Sequence, residues 1–142
     1  MPDAVDPRSK VWSAIGWDGS NSLMAADMHF ARIKRHAVIL DIDVPNDFEA
    51  RVYSMLDGLG HPGDANPSPD QASFLIAVGV SKDEGIFVEP YVISTYPKTP
   101  LSAISLTAPN WNQPVRGTKH GDWEPHREAR KIAMENGADI AL

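Results

Sequence analysis

The sequence predicts an α+β fold, in which a β-α-α-β-β-β small domain is followed by a loop, a helix and the first strand of an incomplete second domain. Three observations support this prediction. Two segments with the apolar period of a helix precede three β-rich runs, and a stretch rich in Pro and Gly separates the two groups. The 142 residues are 42% hydrophobic and 23% charged, which is typical of a globular domain.

The first predicted elements are a strand and a helix joined by a turn. The segment VWSAIGW, residues 11–17, is short, aromatic and β-branched, and the turn residues DGSN follow it. We expect Asp27 to cap a helix over residues 28–40. One apolar stripe supports this helix, and its members are Phe30, Ile33, Ala37 and Leu40.

A second helix is predicted over residues 47–57, between Pro45 and a pair of glycines. We expect it to pack against the first helix. Its apolar side would consist of Phe48, Val52, Met55 and Leu59. The run HPGDANPSPD, residues 61–70, then has the composition of a connecting loop.

Three β-rich runs complete the predicted small domain, residues 1–108. They are FLIAVGV at 74–80, IFVEPYVIST at 86–95 and AISLTA at 103–108. The segment SKDEG between the first two runs indicates a hairpin connection.

The last part of the chain combines a loop over residues 109–121 with a helix and a strand. In DWEPHREARKIAMENG, Asp122 is the expected helix cap and Gly137 the expected C-terminal stop. The apolar segment ADIAL then begins a buried strand. Residues 122–142 are therefore predicted to be the start of a larger, truncated domain.

The composition argues against several classes of function. The formal net charge is −6 and the basic residues are scattered, so we expect no nucleic-acid partner. The chain has no Cys for a disulfide or a thiolate site, and no HExxH or comparable spacing for a metal. No apolar run has the length of a membrane span and the N-terminus lacks the features of a signal peptide. We expect a cytoplasmic protein.

The octapeptide RGTKHGDW carries the first candidate for chemistry. A lysine amine acts as a nucleophile only when its pKa falls below the usual value of about 10.4, through burial or neighbouring cations. Arg116 and His120 lie close to Lys119 in sequence. Gly117 and Gly121 allow the backbone a tight path toward a ligand. By the octapeptide alone, the lysine is either catalytic or a solvated loop residue.

The second candidate is a helical face formed by His29, Arg32 and His36. A guanidinium can hold a phosphate through two parallel hydrogen bonds, so Arg32 is a candidate anion anchor. The alternatives are an exposed helical arginine and a half-buried histidine. Of the four tryptophans, which commonly pack in cores, Trp12 is the candidate to line a ligand pocket. Walker, GxGxxG and GxSxG motifs are absent.

Taken in order, these segments resemble the class IV aminotransferases, the PLP-dependent fold-type IV family that includes branched-chain aminotransferase, D-amino acid aminotransferase and aminodeoxychorismate lyase. The likeness lies in the early aromatic strand, in HFARI at residues 29–33 as an H-x-x-R-[LI] motif, and in RGTKHGDWEPHREARKIAMENGADIAL. The resemblance implies that Lys119 forms a Schiff base with pyridoxal 5′-phosphate (PLP) and that Arg32 holds its phosphate. It further implies that Trp12 and His29 line the substrate pocket.

The resemblance implies an enzyme of amino acid metabolism, either an aminotransferase or an amino-acid lyase, present as a subunit or N-terminal fragment. Its substrates would be an amino acid and a 2-oxo acid. The family's larger domain usually supplies a glutamate to the pyridine nitrogen, and that position lies beyond Leu142. We expect little transaminase activity from the chain alone, and a homodimer or a complementing second chain. The alternative is a non-catalytic α+β module for dimerisation or ligand binding.

Overall fold

The structure, a computed structural model, describes residues 6–59, 72–94 and 99–142. Its elements follow the predicted order, so the α+β fold is confirmed. In chain order they are β1 (Lys10–Trp17), α1 (Ala26–Leu40), α2 (Phe48–Leu59), β2 (Ala72–Ser81), β3 (Gly85–Ser94), β4 (Ala103–Ile104), α3 (Glu124–Glu135) and β5 (Ile140–Ala141).

Strands β1, β2 and β3 form an antiparallel sheet in that order. Side chains along β1 alternate between half-buried and buried, because successive residues of a strand point to opposite faces. The register pairs Val11 with Val80 and Ile15 with Ile76, so the buried residues of both strands share one face. The predicted SKDEG hairpin is confirmed, and Gly85 supplies its left-handed conformation at φ 77°.

Helices α1 and α2 cover this buried face of the sheet. Helix α1 packs on β1 and α2 packs on β3. The ring of Phe30 in α1 makes edge contacts with Phe48 and Tyr53 of α2, at centroid distances of 5.6 and 6.0 Å. These contacts bury a single apolar core between the sheet and the two helices.

Helix α1 begins earlier than predicted, and the prediction that Asp27 caps it is wrong. The N-cap is Ala25, in the left-handed conformation at φ 51° and without a side-chain cap. The backbone before it is held by a hydrogen bond of 2.8 Å from Met24 N to Gly16 O, so the sheet sets where the helix starts. Asp27 lies in the first turn, where its negative charge interacts favourably with the helix dipole. The predicted stripe from Phe30 to Leu40 is buried, as expected.

The buried side of α2 differs from the prediction. Met55 and Leu59 are 38% and 40% exposed, whereas Leu56 is 2% exposed. The buried residues Phe48, Val52 and Leu56 repeat every four positions, because the helix presents its i, i+4 row to the core. The apolar character of Met55 and Leu59 therefore misled the prediction.

The third β-rich run forms a shorter strand than the predicted 103–108. Strand β4 has two residues and pairs in parallel with β5, which follows helix α3 in the chain. One further hydrogen bond, 2.9 Å from Leu106 N to Leu142 O, extends the pairing. The predicted loop 61–70 and the last residue of the predicted strand 86–95 lie outside the described residues. The division of the chain into domains stays a prediction.

The ends of α3 agree only in part with the prediction. The N-cap is Trp123 rather than Asp122, although the Asp122 carboxylate accepts the Glu124 N–H at 3.2 Å. The indole Nε1 of Trp111 donates to the same carboxylate group at 3.2 Å. Gly137 ends the helix at φ 76°, as predicted.

The adjacent residues Leu56 and Met55 offer a matched test of the α2 core face. We expect Leu56→Ala to lower the free energy of unfolding by about 2–5 kcal/mol, because it leaves a cavity in the core. Met55→Ala should cost only about 0.5 kcal/mol, as for other surface substitutions. Urea unfolding followed by circular dichroism measures both values, and equal losses would contradict the assignment of the buried face.

Candidate functional site

A cavity of about 400 Å³ lies between α1, the loop that precedes α3, and the first turn of α3. It brings together Arg32 and Lys119, the two candidates that the sequence places far apart. None of the described residues that line it is acidic. The lining residues are Arg32, His36, Trp111, Gly117, Thr118, Lys119, His120, Trp123 and His126.

The loop that carries Lys119 is attached to the free edge of β1. The backbone N–H of Trp12 donates to the carbonyl of Lys119 at 3.1 Å, and the indole Nε1 of Trp12 donates to the carbonyl of His120, also at 3.1 Å. Val11 forms an antiparallel bridge with His120. Strand β1 has β2 on one side only, so its other edge can accept this loop as a partner.

Two glycines permit the close approach of the loop, as the sequence indicated. Gly117 adopts φ 83°, a conformation that other residues rarely take. A Cβ on Gly121 would lie 2.7 Å from Ser9 Oγ and 2.8 Å from Lys10 Cγ. A larger residue at position 121 would therefore push the loop away from β1.

The amine of Lys119 lies between two indole rings. Its Nζ is 5.6 Å from the ring centroid of Trp12 and 5.4 Å from that of Trp123. Aromatic faces favour the ammonium form, but burial and the positive charge of Arg32 act against it. Burial is the larger cause, and together with Arg32 it lowers the pKa of Lys119. The cation that helps to lower the Lys119 pKa is Arg32 of α1 and not the sequence neighbour Arg116, which is exposed.

Arg32 is held by neutral groups beneath the cavity. Its Nη2 donates to Ser13 Oγ and lies 3.2 Å from His29 Nδ1, and the Ser13 hydroxyl lies 2.8 Å from the same nitrogen. Its Nε is buried and has no hydrogen-bond partner among the described residues. Such buried donors are rare, so this guanidinium has capacity for a further acceptor.

His29 serves as an acceptor for these groups. Burial, followed by the charges of Arg32 and Lys119, lowers the pKa of His29. The neutral ring can accept at Nδ1, whereas a protonated ring would present a donor to the guanidinium. His29 therefore contacts Arg32 and Ser13. Its position in a substrate pocket stays a prediction.

Trp12 lines a second cavity of about 270 Å³, on the sheet face opposite α1 and α2. Lys10, Phe87 and Arg127 also line this cavity. Trp123 borders both cavities, and its ring lies 5.3 Å from that of Trp12. The two indoles thus separate the amine of Lys119 from the second cavity.

His120 anchors the loop from inside. Its side chain is buried, and its Nδ1 accepts the backbone N–H of Asp122 at 3.1 Å. Its ring packs edge-on against that of Trp111, with 4.6 Å between the ring centroids. Burial lowers the pKa of His120, while Asp122 opposes that shift. These contacts hold the loop in place while the His120 ring is neutral, because Nδ1 accepts a hydrogen bond only without a proton.

Sequence reasoning missed Ser13, Trp111 and Trp123 as site residues. Ser13 carries a readable signal, because it occupies a core-facing position of β1 between the buried residues Val11 and Ile15. A hydroxyl at such a position needs a buried partner. The two tryptophans carry no comparable signal, since tryptophan is common in cores.

Residues 6–59, 72–94 and 99–142 contain no group of three or more histidine and carboxylate side chains arranged to hold a metal ion. Within the same residues, no helix has both the length and the apolar character of a membrane span.

Comparison with known proteins identifies a shared fold. Neither a family model nor a curated protein matches the sequence. A protein described as a 4-amino-4-deoxychorismate lyase from Legionella pneumophila matches all of this chain and 56% of its own chain, with a TM-score of 0.57 and 19% identity. A protein described as an amino-acid aminotransferase from Mesorhizobium loti matches 94% of this chain and 60% of its own, with a TM-score of 0.62 and 18% identity.

This chain therefore spans little more than half the length of these two structures. Both neighbours are of the kinds that the sequence resemblance named. The chain has the fold of the class IV aminotransferases and related lyases.

Proposed function

We propose that this chain is part of a PLP-dependent aminotransferase or amino-acid lyase of fold type IV, in which Lys119 binds the cofactor covalently. One observation carries the proposal. Lys119, whose pKa is lowered, and Arg32, which has an unpartnered buried donor, line the same cavity, and no acidic side chain of the described residues lines it with them. Such a cavity suits an anionic ligand that carries an electrophilic carbon.

The residues fit PLP in three respects. Arg32 has a free buried Nε and no carboxylate partner among the described residues, so its charge is open to a phosphate. Trp111 and Trp123 provide aromatic walls for a planar ring. Lys119 provides an amine of lowered pKa for an aldehyde. When bound, PLP supplies an electron sink for a carbanion at the substrate α-carbon.

The side chain of Lys119 would perform two tasks. In its neutral form, Nζ would hold the aldehyde carbon of the cofactor and, once a substrate amine had displaced it there, would take and return the proton at the substrate α-carbon. Both tasks need the unprotonated amine, and its fraction at neutral pH rises as the pKa falls. The rings of Trp12 and Trp123 shield the half-buried amine in part and restrict its direction.

Arg32 would position the ligand relative to that amine. It projects from α1, and Ser13 and His29 hold its guanidinium from below. A rigid helix and two fixed contacts reduce the cost of ordering the side chain on binding. The anion would therefore bind in one orientation, with its aldehyde end toward Lys119.

Several finer points belong to the same proposal. The substrates are an amino acid and a 2-oxo acid, the protein acts in the cytoplasm, and a homodimer or a complementing second chain completes the site. The domain division at residues 108 and 122 is part of it as well. What supports these points is the resemblance in sequence together with the shared fold.

Reduction with borohydride tests the covalent role of Lys119. After incubation with PLP, we expect peptide mapping to find a phosphopyridoxyl group on Lys119 and a near-violet absorbance band before reduction. Labelling should occur at lower pH than for exposed lysines, because the Lys119 pKa is lowered. Lys119→Ala should abolish the band, whereas Lys34→Ala should keep it, since Lys34 pairs with Glu49 on the surface. A label on Lys34 or Lys131 instead would favour the non-catalytic module.

The pair Arg32 and Arg35 tests the phosphate anchor. Arg32→Ala should weaken PLP binding by about 1.5–3 kcal/mol, or roughly 10- to 150-fold, through loss of a charge-assisted contact. Arg35→Ala is the control, because Arg35 is exposed and does not line the cavity. Arg32→Lys keeps the charge without the planar fork and should recover only part of the affinity. Equal losses for Arg32→Ala and Arg35→Ala in an absorbance titration would rule out this role for Arg32.

A further inference from the structure

His36 connects α1 directly to the backbone of the reactive loop. It lies one turn after Arg32, is half-buried and lines the 400 Å³ cavity. Its Nδ1 accepts the backbone N–H of Lys119 at 3.0 Å, across a separation of 83 residues. A side chain on a rigid helix thus fixes the peptide nitrogen of Lys119.

The other side of Lys119 is fixed as well. Its carbonyl accepts the backbone N–H of Trp12 at 3.1 Å, so one peptide group is tied to α1 and the next to β1. With both peptide groups held, only the side-chain torsions of Lys119 remain to be set. The contacts with the two indole rings then limit where Nζ can lie.

The bond from Lys119 places a chemical requirement on His36. Nδ1 accepts a hydrogen bond only when it carries no proton, so the ring must be neutral with its proton on Nε2. Burial is the first cause that lowers the pKa of His36, and nearby positive charges add to it. Within residues 6–59, 72–94 and 99–142, no carboxylate lines the cavity to oppose them. The groups around it are Arg32 and Arg35 on its own helix, Lys119 on the loop, and His120 and His126 elsewhere on the cavity wall.

We propose that His36 is a positioning residue for Lys119, which holds the lysine backbone so that the amine stays buried beside Arg32, and which releases it when Nδ1 is protonated. This inference rests on the proposed role of Lys119 as the reactive lysine. A merely structural histidine would contribute packing to the cavity wall, and any side chain of similar volume could then replace it. The two roles differ in their need for an acceptor atom.

Two variants separate these roles. His36→Asn places an amide oxygen near the position of Nδ1 and keeps an acceptor, whereas His36→Leu keeps volume without one. In the cofactor-free chain, we expect hydrogen exchange of the Lys119 amide to be about tenfold faster in His36→Leu than in wild type, and near wild type in His36→Asn. The amides of Val52 and Leu56 report whether the core remains folded. Wild-type protection of Lys119 in a folded His36→Leu variant would overturn the proposal.

The position of the amine is tested by competitive acetylation with acetic anhydride, again without PLP. His36 is neutral above pH 7, so its removal changes no charge near Lys119 in that range. A pKa of Lys119 that rises toward the ordinary value in His36→Leu, but stays lowered in His36→Asn, therefore reports that the amine has moved. An unchanged Lys119 pKa in His36→Leu would overturn the positioning role.

Acid pH supplies the third readout. The wild-type Lys119 amide should lose its protection against hydrogen exchange as the His36 imidazole takes up a proton. This protonation begins as the pH falls below about 6.5, the ordinary pKa of histidine, and is completed as the pH falls through the lowered pKa of His36. In His36→Asn this loss should be absent. An amide that titrates identically in both proteins would contradict the proposal. Since these readouts use no cofactor, a failure of PLP to bind would overturn the proposed function while leaving the role of His36 tested separately.

Discussion

The hydrogen bonds between the free edge of β1 and the backbone of residues 119–120 determine the geometry of the whole site. Trp12 donates from both its backbone and its indole ring to this segment. Because β1 has one partner strand in the sheet, its second edge has backbone groups to satisfy. The loop satisfies them, and in doing so it brings a lysine from late in the chain to an arginine on the first helix.

The site concentrates positive charge in a cavity that no acidic side chain of the described residues lines. Arg32 and Lys119 line one cavity, and the groups that fix their positions are the Ser13 hydroxyl, two neutral imidazoles and the backbone N–H of Trp12. Neutral acceptors orient a cation without cancelling its charge. An anion bound there would offset the energetic cost of leaving such a charge uncompensated, which supports the phosphate-holding role proposed for Arg32.

Much of the fold was readable from local patterns. The strand at residues 11–17, the Phe30-to-Leu40 stripe, the SKDEG hairpin and the glycine at the end of α3 were all predicted, because each is determined by residues close together in the chain. The errors occurred where distant residues decide. The start of α1 depends on a bond between Met24 and Gly16, and the buried face of α2 depends on how that helix meets the sheet.

For the site, the sequence by itself determined which residue types were available: a lysine between two glycines and an arginine on an amphipathic helix. Only the tertiary structure decided that these two share a cavity and that Arg32, rather than the neighbouring Arg116, lowers the pKa of the lysine. It also decided that Ser13, His29 and His36 serve as acceptors for them. The physical reason is that electrostatic interaction and hydrogen bonding depend on distance in space and on burial, and both are set by chain folding rather than by separation along the sequence.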